Sequence, residues 1–65
     1  MNKLDLHGIR HSEVDRLVEN FVLLNDKPIR IITGNSDTMI RLVLKVLERH
    51  DITYERFKPG QISIL

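Results

Sequence analysis

An aspartate and a histidine two residues apart, Asp5 and His7, are the side chains of this sequence best suited to chemistry. They stand in Leu4-Asp5-Leu6-His7-Gly8, where leucines alternate with the polar pair. Read as a strand, the pattern buries Leu4 and Leu6 on one face and carries Asp5 and His7 on the other, about 6 to 7 Å apart. A carboxylate and an imidazole at that spacing could serve one substrate or one bridging ion. His7 would then be the general base or a metal ligand, and Asp5 its orienting partner or a second ligand. Gly8 lets the backbone turn sharply behind them. The plainer alternatives are an Asp5 that only hydrogen-bonds a turn and a His7 that satisfies a neighbouring carbonyl.

A second candidate is Thr33-Gly34-Asn35-Ser36, which closes an apolar run and opens a helix. Unpaired amides and the positive dipole end at a helix start favour an anion such as phosphate. Thr33 and Ser36 add hydroxyls, Asn35 lies between them, and Gly34 allows close backbone approach. The same residues also read as an ordinary helix cap. Arg41, one turn into that helix, could reach a phosphate or simply be solvated. Lys3 and Arg30, if adjacent on a bare sheet face, would track a nucleic-acid backbone or keep that face soluble. His11 and His50 read as solvated, with His11 near enough in sequence to reach the His7 crevice. No nucleophilic serine or cysteine arrangement, phosphate-binding P-loop or dinucleotide fingerprint is present. Any chemistry is therefore acid–base or metal-assisted.

The elements that must position these groups follow from periodicity. Val14, Leu17, Val18, Phe21, Val22 and Leu24 predict a first helix over about 12–24, with Ser12, His11 or Arg10 at its start. Asn25-Asp26-Lys27-Pro28 is a turn, and Ile29-Arg30-Ile31-Ile32-Thr33 a central strand. A second helix runs from Asp37 or Thr38 to Arg49, burying Met39, Ile40, Val43, Val46 and Leu47. Leu42 and Leu44 lie off that face, as flanking contacts or as an exposed patch for a homodimer. Strands at 52–57 and 61–65 flank a Lys58-Pro59-Gly60 turn and predict a β-hairpin.

The order is β-α-β-α-β-β. Right-handed crossovers place both helices on one face of a four-stranded mixed sheet, a two-layer α/β sandwich. Leu4, Leu6, Ile29, Ile31, Ile62 and Ile64 would meet the helices. Lys3, Asp5, Arg30, Thr53, Glu55, Gln61 and Ser63 would populate the bare face. Ile32 breaks this alternation. In open α/β sheets ligands sit beyond the carboxyl ends of parallel strands, so His7-Gly8 and Thr33-Gly34 share one crevice if their strands are neighbours.

At 65 residues the chain predicts a single domain near the lower size limit for an unassisted core. Without cysteine it has no disulfide or thiolate metal site to compensate. A formal net charge of +1 is too small to argue for nucleic acid on bulk electrostatics. No apolar run is long enough to span a bilayer, and residues 1–5 lack a signal-peptide core, which predicts a soluble, cytoplasmic protein without a membrane partner.

Leu4-Asp5-Leu6-His7-Gly8 ahead of a helix, then Ile31-Ile32-Thr33-Gly34 opening a second helix that holds Arg41, resembles the Smr (small MutS-related) domain family across essentially the whole chain. That family has an LDLHG motif, a TGxG motif and a β-α-β-α-β-β two-layer fold. The resemblance implies a short stand-alone member that binds DNA or RNA, and in some members of the family an endonuclease that cleaves a phosphodiester. It places Asp5 and His7 in the first motif and Thr33 and Gly34 at the start of the second. This chain departs in having Ser36 at the second TGxG glycine, a shortened Asn35-Ser36-Asp37 loop with a negative charge at Asp37, and a late glycine-rich stretch reduced to Pro59-Gly60. Two functional expectations follow. One is an endonuclease centred on Asp5 and His7, with a divalent metal ion held by those two residues if one is used. The other is a non-catalytic nucleic-acid-binding or adaptor module that keeps the crevice only as a phosphate clamp; on either expectation Gly8, Thr33, Gly34, Asn35, Ser36, Arg41, Lys3 and Arg30 are the candidates for binding nucleic acid or phosphate.

Overall fold

The computed structural model describes residues 2–65, excepting the Phe57 side chain. Its elements are β1 (Asn2–Asp5), α1 (His11–Leu24), β2 (Ile29–Ile32), α2 (Asp37–Arg49), β3 (Tyr54–Lys58) and β4 (Gln61–Ile64). They form the expected α/β sandwich, with a four-stranded mixed sheet in the order β1-β2-β4-β3. β1 lies parallel to β2, while β4 runs antiparallel to both β2 and β3. The hairpin therefore folds back so that β4 fills the space between β2 and β3. That insertion brings the hairpin turn beside the carboxyl end of β2, since Gln61 is opposite Ile32.

One apolar cluster joins sheet and helices: Leu6, Ile29, Ile31, Ile62 and Ile64 meet Val14 and Val18 of α1 and Met39, Val43, Val46 and Leu47 of α2. The four α2 residues are spaced i, i+4, i+7, i+8, one helical stripe. Leu42 and Leu44 pack against the margin of this core and are half-buried, so they are flanking contacts and not an exposed patch. α1 buries less. Only Val14 and Val18 are fully covered, Phe21 and Val22 are partly so, and Leu24, expected on the buried face, is 80% exposed.

Local chemistry sets the element ends. α2 is capped by Ser36, whose Oγ accepts from the Met39 amide at 3.2 Å. α1 begins after Arg10, without a side-chain cap, and Ser12 lies inside the helix. Its far end is closed by Asn25, which donates to the Phe21 carbonyl at 2.9 Å. Between the helices, Arg49 pairs with Asp15 and His50 Nε2 lies 2.8 Å from Glu19. Such exposed pairs contribute little stability each. The helices are held mainly by apolar burial.

Three sequence expectations shift in detail. The first strand spans Asn2–Asp5 and ends before His7, because the chain leaves the ladder after Leu6 donates to the Ile32 carbonyl at 2.9 Å. The hairpin turn is two residues, Pro59-Gly60, with Lys58 already paired to Gln61. Proline followed by a glycine at φ 81° is the arrangement a type II turn requires. The register slips between Arg56 and Lys58, an irregularity that alternation alone does not announce. Ile32 finds its place too: it shares the open sheet face with Arg30, half-buried between Asp5 and Gln61. Among the described residues no helix is long and apolar enough to cross a membrane.

Ile31 is fully buried in the central strand, whereas Leu24 lies outside the core. Ile31→Ala is expected to lower the unfolding free energy by about 2 to 5 kcal/mol. Leu24→Ala should change it by no more than about 0.5 kcal/mol. Urea denaturation of the two variants checks both.

Candidate functional site

Asp5 is the last residue of β1, opposite Ile32. Its Oδ1 accepts two hydrogen bonds from His7, one from the backbone amide at 3.0 Å and one from ring Nδ1 at 2.6 Å. The strand spacing anticipated for this pair is thus replaced by direct contact, because His7 lies in the turn and not on the strand. A second turn bond, from the Ile9 amide to the Leu6 carbonyl at 3.1 Å, closes the loop. Both side chains stay exposed, His7 at 67% and Asp5 at 61%.

The backbone amide of His7, and after it the imidazole, hold the Asp5 carboxyl below its ordinary value. An ionised carboxylate only accepts, so Nδ1 carries the hydrogen and the lone pair of a neutral ring sits on Nε2. That nitrogen faces Gly34: a Cβ placed on Gly34 would lie 3.1 Å from it. The first and second candidate motifs therefore meet.

Gly34 is itself held from behind. The Gly60 carbonyl accepts from the Thr33 amide at 2.8 Å and from the Gly34 amide at 3.2 Å. Thr33, only 4% exposed, turns its hydroxyl onto the Gly34 carbonyl at 2.9 Å. The amides of Thr33 and Gly34, expected to face a ligand, are thus engaged within the protein. Ser36 is likewise occupied as the helix cap. Asn35 and Gly8 are exposed, each next in sequence to one of the two residues in contact, Gly34 and His7, and Arg41 is exposed on α2.

Lys3 and Arg30 are adjacent in register, in a row that continues through Ser63 to Glu55. The next row toward the site runs Asp5, Ile32, Gln61, Lys58. Gln61 belongs to the surroundings of the site although it was read only as a bare-face residue. Its Oε1 is buried without a hydrogen-bond partner among the described residues. Gly60 was likewise read as a turn residue, and only strand order reveals its contact with Gly34. A shallow surface hollow of about 500 Å³ lies at the other end of the sheet, lined by Asn2, Leu24, Asn25, Asp26, Lys27 and Pro28. It holds none of the candidate residues.

Among the described residues no three His, Asp or Glu side chains converge to hold a metal ion. Asp5 and His7, the two residues expected to hold a divalent ion if one is used, are hydrogen-bonded to each other through Oδ1 and Nδ1. The pair by itself does not make an all-protein metal cage.

Among solved structures, the crystal structure of the human small-MutS related domain is similar to this chain, with 26% sequence identity and a TM-score of 0.66. The match covers 95% of this chain and 96% of that one. No protein-family model and no curated protein matches the sequence. The chain has an Smr-like fold.

The depressed Asp5 carboxyl has a consequence for stability. A group whose native value lies below its unfolded value stabilises the fold above the unfolded value, about 3.9 for aspartate, and loses that contribution as pH falls through the native one. Asp5→Asn is expected to remove this part of the acid-side stability loss while Asp15, depressed by Arg49, retains its own. Thermal unfolding of both proteins between neutral and acidic pH measures the difference.

Proposed function

We propose that this protein binds nucleic acid where β1 and β2 end and hydrolyses a phosphodiester there, with His7 as the acid–base group and Asp5 as its orienting partner. The observation that carries the reading is the exposed imidazole, fixed by Asp5 through Nδ1 and presenting Nε2 at Gly34. In that tautomer Nε2 takes the proton from the attacking hydroxyl or water. The imidazolium so formed is stabilised by the adjacent carboxylate and returns the proton to the leaving oxygen. Lys3 and Arg30, one row down the open face from Asp5 and Ile32, are suited to backbone phosphates on either side. The similarity to the human small-MutS related domain and the LDLHG resemblance support the same class of function.

A second reading is a phosphate clamp that binds without cutting. It is favoured by the Thr33 and Gly34 amides, which donate to Gly60 and so are not aimed at a developing oxyanion.

Labelled single-stranded DNA, duplex DNA and RNA, incubated with and without divalent ions, separate the two. On the first reading the wild-type protein cleaves and His7→Ala lowers the rate by at least about 100-fold while binding is retained. Binding without cleavage by both proteins establishes the clamp. With Lys3 and Arg30 as the phosphate contacts, the slope of log K against log salt is expected near about −2. A Lys3→Ala protein should lose about one unit of that slope.

A further inference from the structure

We infer that Gly60, in the turn between β3 and β4, is a positioning residue for His7. Its carbonyl and its missing side chain together set Gly34 where the imidazole lies on it. The consequence for catalysis rests on the reading of His7 given above; the geometric part is independent of it.

Three close approaches follow one another. His7 Nε2 lies close over Gly34: a Cβ there would be 3.1 Å from the ring nitrogen, so the exposed ring would have to shift by a few tenths of an ångström, and the φ of 69° at Gly34 itself favours glycine. Gly34 in turn lies tight against position 60, where a Cβ would be 3.0 Å from both the carbonyl carbon and the oxygen of Gly34 and would push that main chain aside. Backbone atoms cannot yield as a flexible side chain would. The Gly60 carbonyl then fastens the same segment through the Thr33 and Gly34 amides, at 2.8 and 3.2 Å. Asp5 holds the ring at Nδ1, and Gly34 forms the floor below Nε2. A group on the hairpin, more than fifty residues along the chain from His7, thereby decides where the basic nitrogen points.

The test uses nuclear magnetic resonance on the labelled full chain. Wild-type protein should show contacts from the His7 ring protons to the Gly34 α-protons, and couplings across the hydrogen bonds from the Thr33 and Gly34 amides to the Gly60 carbonyl. Their absence overturns the inference before any variant is made.

Gly60→Ala adds both a Cβ and backbone strain, because φ is 81° there. Gly60→Asn adds the same Cβ with a residue that tolerates positive φ. The Asn variant is therefore expected to melt higher than the Ala variant, yet both should lose the ring contacts to Gly34. In both, the Asp5 carboxyl should titrate closer to its ordinary value as the imidazole hydrogen bond weakens. The His11 and His50 ring signals should stay in place. If the wild-type protein cleaves nucleic acid, the Asn variant should lose about tenfold or more in kcat with KM little changed.

A folded Asn variant with the His7–Gly34 contacts and the Asp5 titration intact sinks the inference. A wild-type protein that cuts nothing removes the nuclease reading alone, because the resonance measurements involve no nucleic acid.

Discussion

The Gly60 carbonyl, shared by the amides of Thr33 and Gly34, ties the last hairpin to the exit of the central strand. It does so because β4 is inserted beside β2, with Gln61 opposite Ile32, which leaves the residue before Gln61 next to the residue after Ile32. On the other side of β2, the Leu6 amide reaches the Ile32 carbonyl and aligns the end of β1 with the same point. Three distant segments of a short chain thus converge at one strand end. The exposed imidazole rests on a floor made of main chain.

This construction accounts for the balance of charge around the site. Asp5 is matched locally by His7, and the neighbouring backbone donors that would favour an anion are partly satisfied within the fold. Positive side chains lie instead on the open face, where Lys3 and Arg30 are one row, about 6 to 7 Å, from Asp5 and Ile32. The helices cover the opposite face and contribute the core. Their surface ion pairs, Arg49 with Asp15 and His50 with Glu19, lie on the far layer from that open face.

Much of the architecture is legible in residue order because burial follows periodicity. Ile29 and Ile31 are inward and Arg30 outward, as a strand with one covered face demands. Met39, Val43, Val46 and Leu47 form the stripe that helical geometry requires. Where the periodic argument failed, a local event intervened. Leu24 is the last residue of α1 and stays exposed where the chain turns toward β2, and the Asp5–His7 turn ends β1 before the alternation of leucines does. Leu42 and Leu44 illustrate a different limit: a helix in a two-layer fold buries its flanks as well as its stripe, so off-face leucines need no partner.

Residue types and spacing by themselves determined the element order, the two-layer class and the candidate pair Asp5 and His7, because secondary structure and its buried face depend on neighbours a few positions apart. Only the tertiary structure decided that the pair is hydrogen-bonded, that Nε2 meets Gly34, and that Thr33 and Gly34 donate to Gly60. The first is a local contact set by the turn that ends β1, the second joins the ends of the parallel neighbours β1 and β2, and the third exists because β4 enters between β2 and β3, a choice of strand order that no local pattern encodes.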